Sequence, residues 1–465
     1  MTLRERMRRE LANPRKRQAI AGATWGGVKA KWRQWAGLER EGRLQDLRDR
    51  ARDAKNKVLG DHAAYLVQFA SQVQGRGGRV HFAATGAEAV QQVLAICRRA
   101  GAERVVKSKS MATEEIGLTH ALEAAGLEAV ETDLGEYIIQ LAGEPPSHIV
   151  GPALHMDRHD VADVFSRHLG GPMEADPQAL ATVARRVLRE KFLAADVGIT
   201  GANFGVAETG TVVLVTNEGN ADLSTSLPRV VIAVMGLEKL VASWADLEPL
   251  LTLLPRTSTG QNMTSYVTAL TGPRRPDEED GPEELHVVVL DAGRSRLLGT
   301  PYQDVLRCMR CGACVDTCPV FRQVGGHGYG TVYSGPIGVA LTPLLQGDGA
   351  GAELLDACSM CGACSETCPV QIPLHTLIRK QRAERYTGAM ERLLFRLWGW
   401  AWSDARRYRW VAALVRAVTA PFARRGYLTV APGPLAEWHA GRDFPAPAAA
   451  PFHQRWAELE KEVAE

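Results

Sequence analysis

From about residue 60 to residue 292, short apolar runs alternate with longer amphipathic stretches. Residues 80–82 read as a strand. Gly86–Arg99 places its apolar residues at a period near 3.6, which predicts a helix. Residues 104–106 form the next predicted strand, and residues 113–125 the next helix, closed by Gly126. Glu128–Glu131 is a third strand. Residues 176–194 are another helix, with Pro177 in the first turn, where a missing N–H costs nothing. Thr211–Thr216, residues 229–235 and residues 286–290 are rich in β-branched residues and read as strands, while residues 273–282 form an acidic, proline-rich loop. This alternation predicts an α/β domain on a mainly parallel sheet.

The flanks follow other patterns. Residues 1–58 mix Arg and Lys with acids, as where Asp46, Asp49 and Asp53 recur near Arg48, Arg50 and Arg52. They predict a basic helical arm. Trp25, Trp32 and Trp35 are unusual in a purely solvated arm, so it either packs on its own chain or docks a partner. The tail from about residue 390 interleaves Trp398, Trp400, Trp402, Trp410, Trp438 and Trp456 with Arg406, Arg407, Arg409 and Arg416. A basic, Trp-rich amphipathic helix suits a partner helix, a membrane surface, or the chain's own region before it, residues 300–380. Pro445, Pro447 and Pro451 read as an extended linker. The expected divisions are an arm (1–58), an α/β domain (59–295), a cysteine-rich domain (296–385) and a tail (386–465).

Composition narrows the class. The chain has 465 residues, 45% hydrophobic and 23% charged, which fits two or three globular domains. A net charge of +2 gives no polycation for nucleic acid. No apolar run approaches the ~18–20 residues that span a bilayer, and the N-terminus lacks the apolar core of a signal peptide. A cytoplasmic protein is expected, with any membrane contact peripheral and through the tail.

Eight of the nine cysteines fall in two stretches. Cys308, Cys311, Cys314 and Cys318-Pro319 form the first; Cys358, Cys361, Cys364 and Cys368-Pro369 the second. Both are C-x₂-C-x₂-C-x₃-C-P, the run in which three thiolates hold one cubane cluster and the fourth reaches the other. Two [4Fe–4S] clusters are therefore expected. Cys308, Cys311, Cys314 and Cys368 would hold one, and Cys358, Cys361, Cys364 and Cys318 the other. The Gly-Ala pairs at 312–313 and 362–363 leave room for the inorganic core. The competing reading is a pair of zinc sites, but a zinc knuckle leaves the third cysteine and the Cys-Pro unexplained. A disulfide framework does not suit so long a chain. Cys97 sits in a helical context and reads as an inert buried thiol.

Two places in the α/β domain present candidate chemistry. Lys107-Ser108-Lys109-Ser110-Met111 follows a strand and precedes a helix start. Strand carboxyl ends gather ligands in open α/β sheets, and a helix N-terminus favours anions. A solvated loop would look the same. Residues 200–211 contain the lone acid Glu208 among small residues, either near that anion site or in a tight turn leading into a buried strand. No G-x-G-x-x-G follows the first strand and no Walker loop occurs, so no nucleotide site is indicated. Between the cysteine stretches, residues 324–336 are rich in glycine. They read as a close backbone approach to a cluster, with His327 as a hydrogen-bond donor, or as a flexible connector.

Several stretches together resemble a known family: residues 106–111, 133–141, 146–150, 208–211 and 325–330, with both cysteine motifs. The chain is similar to the LutB-type iron–sulfur proteins, the B components of lactate utilisation. The resemblance implies a CoA-transferase-like LUD α/β domain followed by a ferredoxin-like helical domain. It implies a part in oxidising L-lactate to pyruvate beside a LutA-type cysteine-rich protein and a LutC-type LUD protein. Service to another 2-hydroxy acid such as glycolate, or a cluster-bearing adaptor that only binds an anionic metabolite, remains open at this level.

Overall fold

The computed structural model describes residues 1–347, 349, 351–385, 389–428 and 444–464; Trp438 lies outside them. The chain forms two compact units, 1–382 and 383–465.

Among the described residues, ten strands lie in the larger unit: β1 (Arg79–Ala83), β2 (Arg104–Lys107), β3 (Glu128–Glu131), β4 (Val197–Gly201), β5 (Phe204–Val206), β6 (Thr211–Thr216), β7 (Val230–Gly236), β8 (Leu240–Val241), β9 (Tyr266–Leu270) and β10 (Glu284–Leu290). Six make a parallel sheet in the order β1-β10-β7-β4-β2-β3. Every residue of β4 and β7 is buried, as expected of parallel strands covered on both faces. The mainly parallel α/β fold read from the alternating pattern is therefore present.

Two local expectations change. Thr211–Thr216 is not in the main sheet. It pairs antiparallel with β5 and β9 in a second sheet, ordered β8-β5-β6-β9. The cause is the tight hairpin after β5, where Gly210 takes φ +67° and its Cα packs against the backbone of Gln72 and Val73 too closely for a side chain. The helix expected over residues 113–125 is two, Met111–Glu115 and Leu118–Ala124, because Gly117 between them is left-handed at φ +63°.

The N-terminal arm packs on its own chain. Its helices are α1 (Leu3–Leu11), α2 (Pro14–Arg40) and α3 (Leu44–Gly60). Asn13 caps α2 and Pro14 opens it; the buried stripe Ile20, Thr24, Val28, Lys31 and Leu38 runs at helical spacing. That stripe lies on the cysteine-rich region: Ile20 fills the space beside Gly325, and Gly27 faces Asp316. Arg48 donates to the carbonyls of Glu366 and Cys368, at 3.1 Å each. Arg6 donates to Tyr329 O and Glu353. Trp25 and Trp32 stay partly exposed as an edge-to-face pair, whereas Trp35 donates to Thr257 Oγ1 at 3.1 Å.

The smaller unit contains the helices Ala389–Trp402 and Ala405–Thr419, the second capped by Asp404. Trp398 stacks on Trp402 with ring centroids 5.5 Å apart. Leu394, Phe395, Trp400, Trp410 and Val418 remain exposed. No helix among the described residues is long and apolar enough to cross a membrane.

Candidate functional site

The two cysteine motifs repeat one backbone design. In the first, Arg310 is left-handed at φ +62° and its N–H donates to Cys308 Sγ at 3.4 Å. In the second, Met360 is left-handed at φ +59° and its N–H donates to Cys358 Sγ at 3.4 Å. Gly312 and Gly362 follow at φ +80° and +83° and open the short helices Ala313–Thr317 and Ala363–Glu366. A left-handed non-glycine residue is uncommon, so its appearance at the same place in both loops marks a shared constraint, the wrapping of a chain around a metal core.

The sulfurs of the two motifs lie close enough to interact across the repeat: Cys368 with Cys308, Cys311 and Cys314, Cys318 with Cys358 and Cys364, and Cys314 with Cys364. Burial pushes the thiols of Cys311, Cys314 and Cys318 up, with Cys364 at about 12 and Cys368 at about 11. A metal core would hold these five as thiolates. A tetrahedral zinc with Zn–S near 2.3 Å would bring its sulfurs to about 3.8 Å apart. Among the described residues no trio of cysteine sulfurs comes within 4.8 Å. The donor set and spacing fit a larger inorganic core than one zinc ion.

The two motifs differ in exposure. Residues 305–309 are buried, and so is Gly312; Ser359 and Cys361 in the second loop are exposed. The first loop faces the α/β domain through the segment 145–151. His148 Nε2 stands 3.3 Å from Asp316, Val150 and His148 close over Gly312, and Ser147 O leaves Gly326 no room for a Cβ. His327 belongs to this seam. It bonds Pro145 O at 2.8 Å and packs on His155, with centroids 4.6 Å apart. The glycine-rich segment does approach the cysteines, but through Tyr329, whose buried hydroxyl faces Cys318, and not through His327. Glycine spacing signalled the close approach; which side chain would make it depended on the fold.

Beside the first loop lies a cavity of about 310 Å³. It opens at the carboxyl ends of β2, β4 and β7, where open α/β sheets bind ligands. Lys109, Asn203, Glu218, Glu238, Arg310 and Tyr333 line it. Arg310 Nη2 donates to buried Glu238 at 3.1 Å, and its guanidinium lies 4.5 Å from the centre of the Tyr333 ring. Arg294 Nε also stands 2.8 Å from Glu238. These two cations hold the Glu238 carboxyl down at about 2 against its burial. Lys239 is pushed down to about 8 by burial and by Arg310.

Of the residues singled out for an anion site, only Lys109 reaches this cavity, and its ammonium donates to Val150 O. Lys107 turns the other way. It is buried among carboxylates, 2.9 Å from Glu131, 3.1 Å from Glu114 and 3.8 Å from Glu136. β2 ends at Lys107, so Lys109 lies in the loop beyond it, where strand alternation no longer fixes the side chain's direction. Glu208 is exposed in the β5–β6 turn, where its backbone N–H bonds Ala242 O, and does not line the cavity. Arg310 was not singled out beforehand. Its signal was the asymmetry of the repeat, since the first motif has Arg310 where the second has Met360.

A LUD-type α/β domain joined to a two-motif cysteine domain defines a class, and family models agree. The LUD domain model matches residues 66–290, the 4Fe-4S dicluster domain model residues 304–372, and the model for the C-terminal region of lactate utilisation protein B residues 375–461. Curated relatives extend the match over the whole chain. "Lactate utilization protein B" of Bacillus velezensis is 46% identical over 99% of this chain and 98% of its own. The proteins of the same name from Geobacillus kaustophilus and Macrococcus caseolyticus are each 45% identical, over 96% of this chain and 94% of their own. The chain belongs to the lactate utilisation protein B family. A solved DUF162 family protein from Deinococcus radiodurans aligns at 16% identity and a TM-score of 0.29, over 49% of this chain and 97% of that one.

Proposed function

We propose that this protein is the iron–sulfur electron-transfer component of a multi-protein system that oxidises L-lactate to pyruvate. The observation that carries the reading is a pair of equivalent cysteine loops, one set against a cavity and the other open to solvent. The names of its relatives supply the metabolite. Cys308, Cys311, Cys314 and Cys368 would hold one [4Fe–4S] cluster, and Cys318, Cys358, Cys361 and Cys364 the other. When bound, the clusters supply one-electron transfer.

The chain's own residues set the conditions for that chemistry. Backbone N–H groups of Arg310, Met360 and Ile372 donate to Cys308, Cys358 and Cys368, which favours the more negative, reduced state. Buried Lys31 adds positive charge near Cys311 and Cys314. Exposed Cys361 marks where an acceptor comes closest. Lactate oxidation also needs a base for the hydroxyl proton and a two-electron acceptor. No nucleotide motif in the chain supplies the acceptor, so we assign it to a partner, either the LutA-type cysteine-rich protein or the LutC-type LUD protein. The exposed apolar face of the helices Ala389–Trp402 and Ala405–Thr419 is the surface we assign to partner docking.

The test is co-purification with both partners under anaerobic conditions, then dye-linked oxidation of L-lactate, D-lactate and glycolate. The reading requires L-lactate turnover that needs this chain with its clusters. Turnover that is unchanged when this chain is omitted would overturn it.

A further inference from the structure

The cavity at the carboxyl ends of β2, β4 and β7 has a feature that protein packing alone does not satisfy. Arg310 has a side chain only 8% exposed. Its Nη2 is paired with Glu238, but its Nη1 is buried with no hydrogen-bond partner. A buried guanidinium N–H left unpaired is costly, so a ligand that accepts from the guanidinium recovers part of that cost. Arg310 faces the cavity and is held there by Glu238 on one side and the Tyr333 ring on the other.

The rest of the lining decides what kind of anion fits. Besides Glu238 it carries two acids, Asp133 and Glu218, with the cations Lys109 and Lys239. Asp133 accepts from the N–H groups of Gly135 and Glu136, and Glu218 accepts from Leu134 N–H. Burial, and then Asp133, push the Glu218 carboxyl up, while the Leu134 N–H and Lys109 pull it back. A ligand carrying a second negative charge would meet these carboxylates. A ligand with one carboxylate and one neutral hydroxyl or carbonyl oxygen would not, and its neutral oxygen would meet hydrogen-bonding partners in the side chains around it. The volume, about 310 Å³, lies at the small end of ligand sites.

The geometry points to a binding site for a small monocarboxylate of the 2-hydroxy or 2-oxo acid class, its carboxylate on the Arg310 guanidinium. This rests on the functional reading above and adds to it a place on this chain. It assigns binding only, with no bond made or broken. It also links the ligand to one cluster, because the backbone N–H of Arg310 donates to Cys308 Sγ while its side chain faces the cavity. The second motif has no such link, since Met360 stands in that position.

The experiment uses the full chain, reconstituted anaerobically, titrated by calorimetry with pyruvate, L-lactate, glycolate, L-malate and inorganic phosphate. Electron paramagnetic resonance spectra of the reduced protein are recorded with and without each. Saturable binding of a monocarboxylate is expected, with malate and phosphate much weaker, and a shift in the signal of the cluster on Cys308, Cys311 and Cys314 alone. Arg310→Met copies the residue the second loop already accommodates. It should keep its iron and weaken pyruvate roughly ten- to a hundred-fold. Ser258→Trp fills the cavity while leaving Arg310 in place, and should weaken binding at least as much. Equal pyruvate affinity in wild type and both variants would overturn the site, as would preference for malate or phosphate. Should the partners still turn over L-lactate in that case, the functional reading stands and only this site falls.

Discussion

Lys107 Nζ lies 2.9 Å from a Glu131 carboxylate oxygen, inside a pocket that also holds Glu114 and Glu136. The ammonium is almost fully enclosed, and the surrounding carboxylates hold it charged despite burial. Glu136 is driven well up by desolvation. One cation thus joins the end of β2 to β3 and to the helix Leu134–Ala142. Removing one partner of a buried ionic cluster typically costs roughly 3–5 kcal/mol. Lys107→Met should lower stability by that order in chemical denaturation. Lys109→Met, at a half-open position, should cost much less. Equal effects would show that the carboxylate cluster is not the structural anchor described.

Crossed ligation gives a second expectation. Cys368 is in the second motif, but its electrostatic neighbours are Cys308, Cys311 and Cys314. Cys368→Ser should alter the resonance signal of the cluster on the first motif and spare the other. Damage limited to the cluster of Cys358, Cys361 and Cys364 would contradict the pairing.

Lys31 offers a third. Its ammonium donates to Thr367 Oγ1, lies 4.8 Å from the centre of the Trp35 ring, and interacts with Cys311 and Cys314. Positive charge beside a cluster favours the reduced form, so Lys31→Met should lower the potential of the nearer cluster in an anaerobic redox titration. An unchanged or raised potential would remove Lys31 from the tuning of the site.

His286 gives the pH dependence. It is fully buried on β10, bonded to His81 at 2.9 Å and to Glu284 at 3.1 Å. Burial depresses it from 6.5 to about 4. The unfolded chain therefore binds a proton between pH 6.5 and about 4 that the native protein refuses. Stability contributed by neutral His286 is fully present above pH 6.5 and falls as pH drops toward 4, by at most about 3 kcal/mol. His286→Val should flatten the stability profile in that window. An identical slope in the variant would assign the acid sensitivity to other groups.

These residues also show what could be read before folding. The cysteine motifs were legible because each is local, with its spacing fixed by the curl of one short loop. The parallel sheet was legible because apolar runs and helical periods alternate. Strand β4 was missed, since Val197–Gly201 contains two glycines. They serve packing: a Cβ on Gly198 would strike Ser224 O, and one on Gly201 would meet Ser110. The cavity was not legible, because its walls come from the ends of β2, β4 and β7 and from Arg310, far apart in sequence. Lys107 looked like a ligand-binding cation because its partners Glu131 and Glu136 meet it only through strand pairing and the following helix.

The central claim is that this chain carries electrons from L-lactate. Its most direct test is anaerobic mixing of L-lactate with the assembled three-component system, freeze-quenched and read by electron paramagnetic resonance. The account predicts reduced [4Fe–4S] signals that appear with L-lactate and disappear when the cluster ligands of this chain are changed to serine. Clusters that dithionite reduces but L-lactate never does, in a complex shown to be intact, would contradict it.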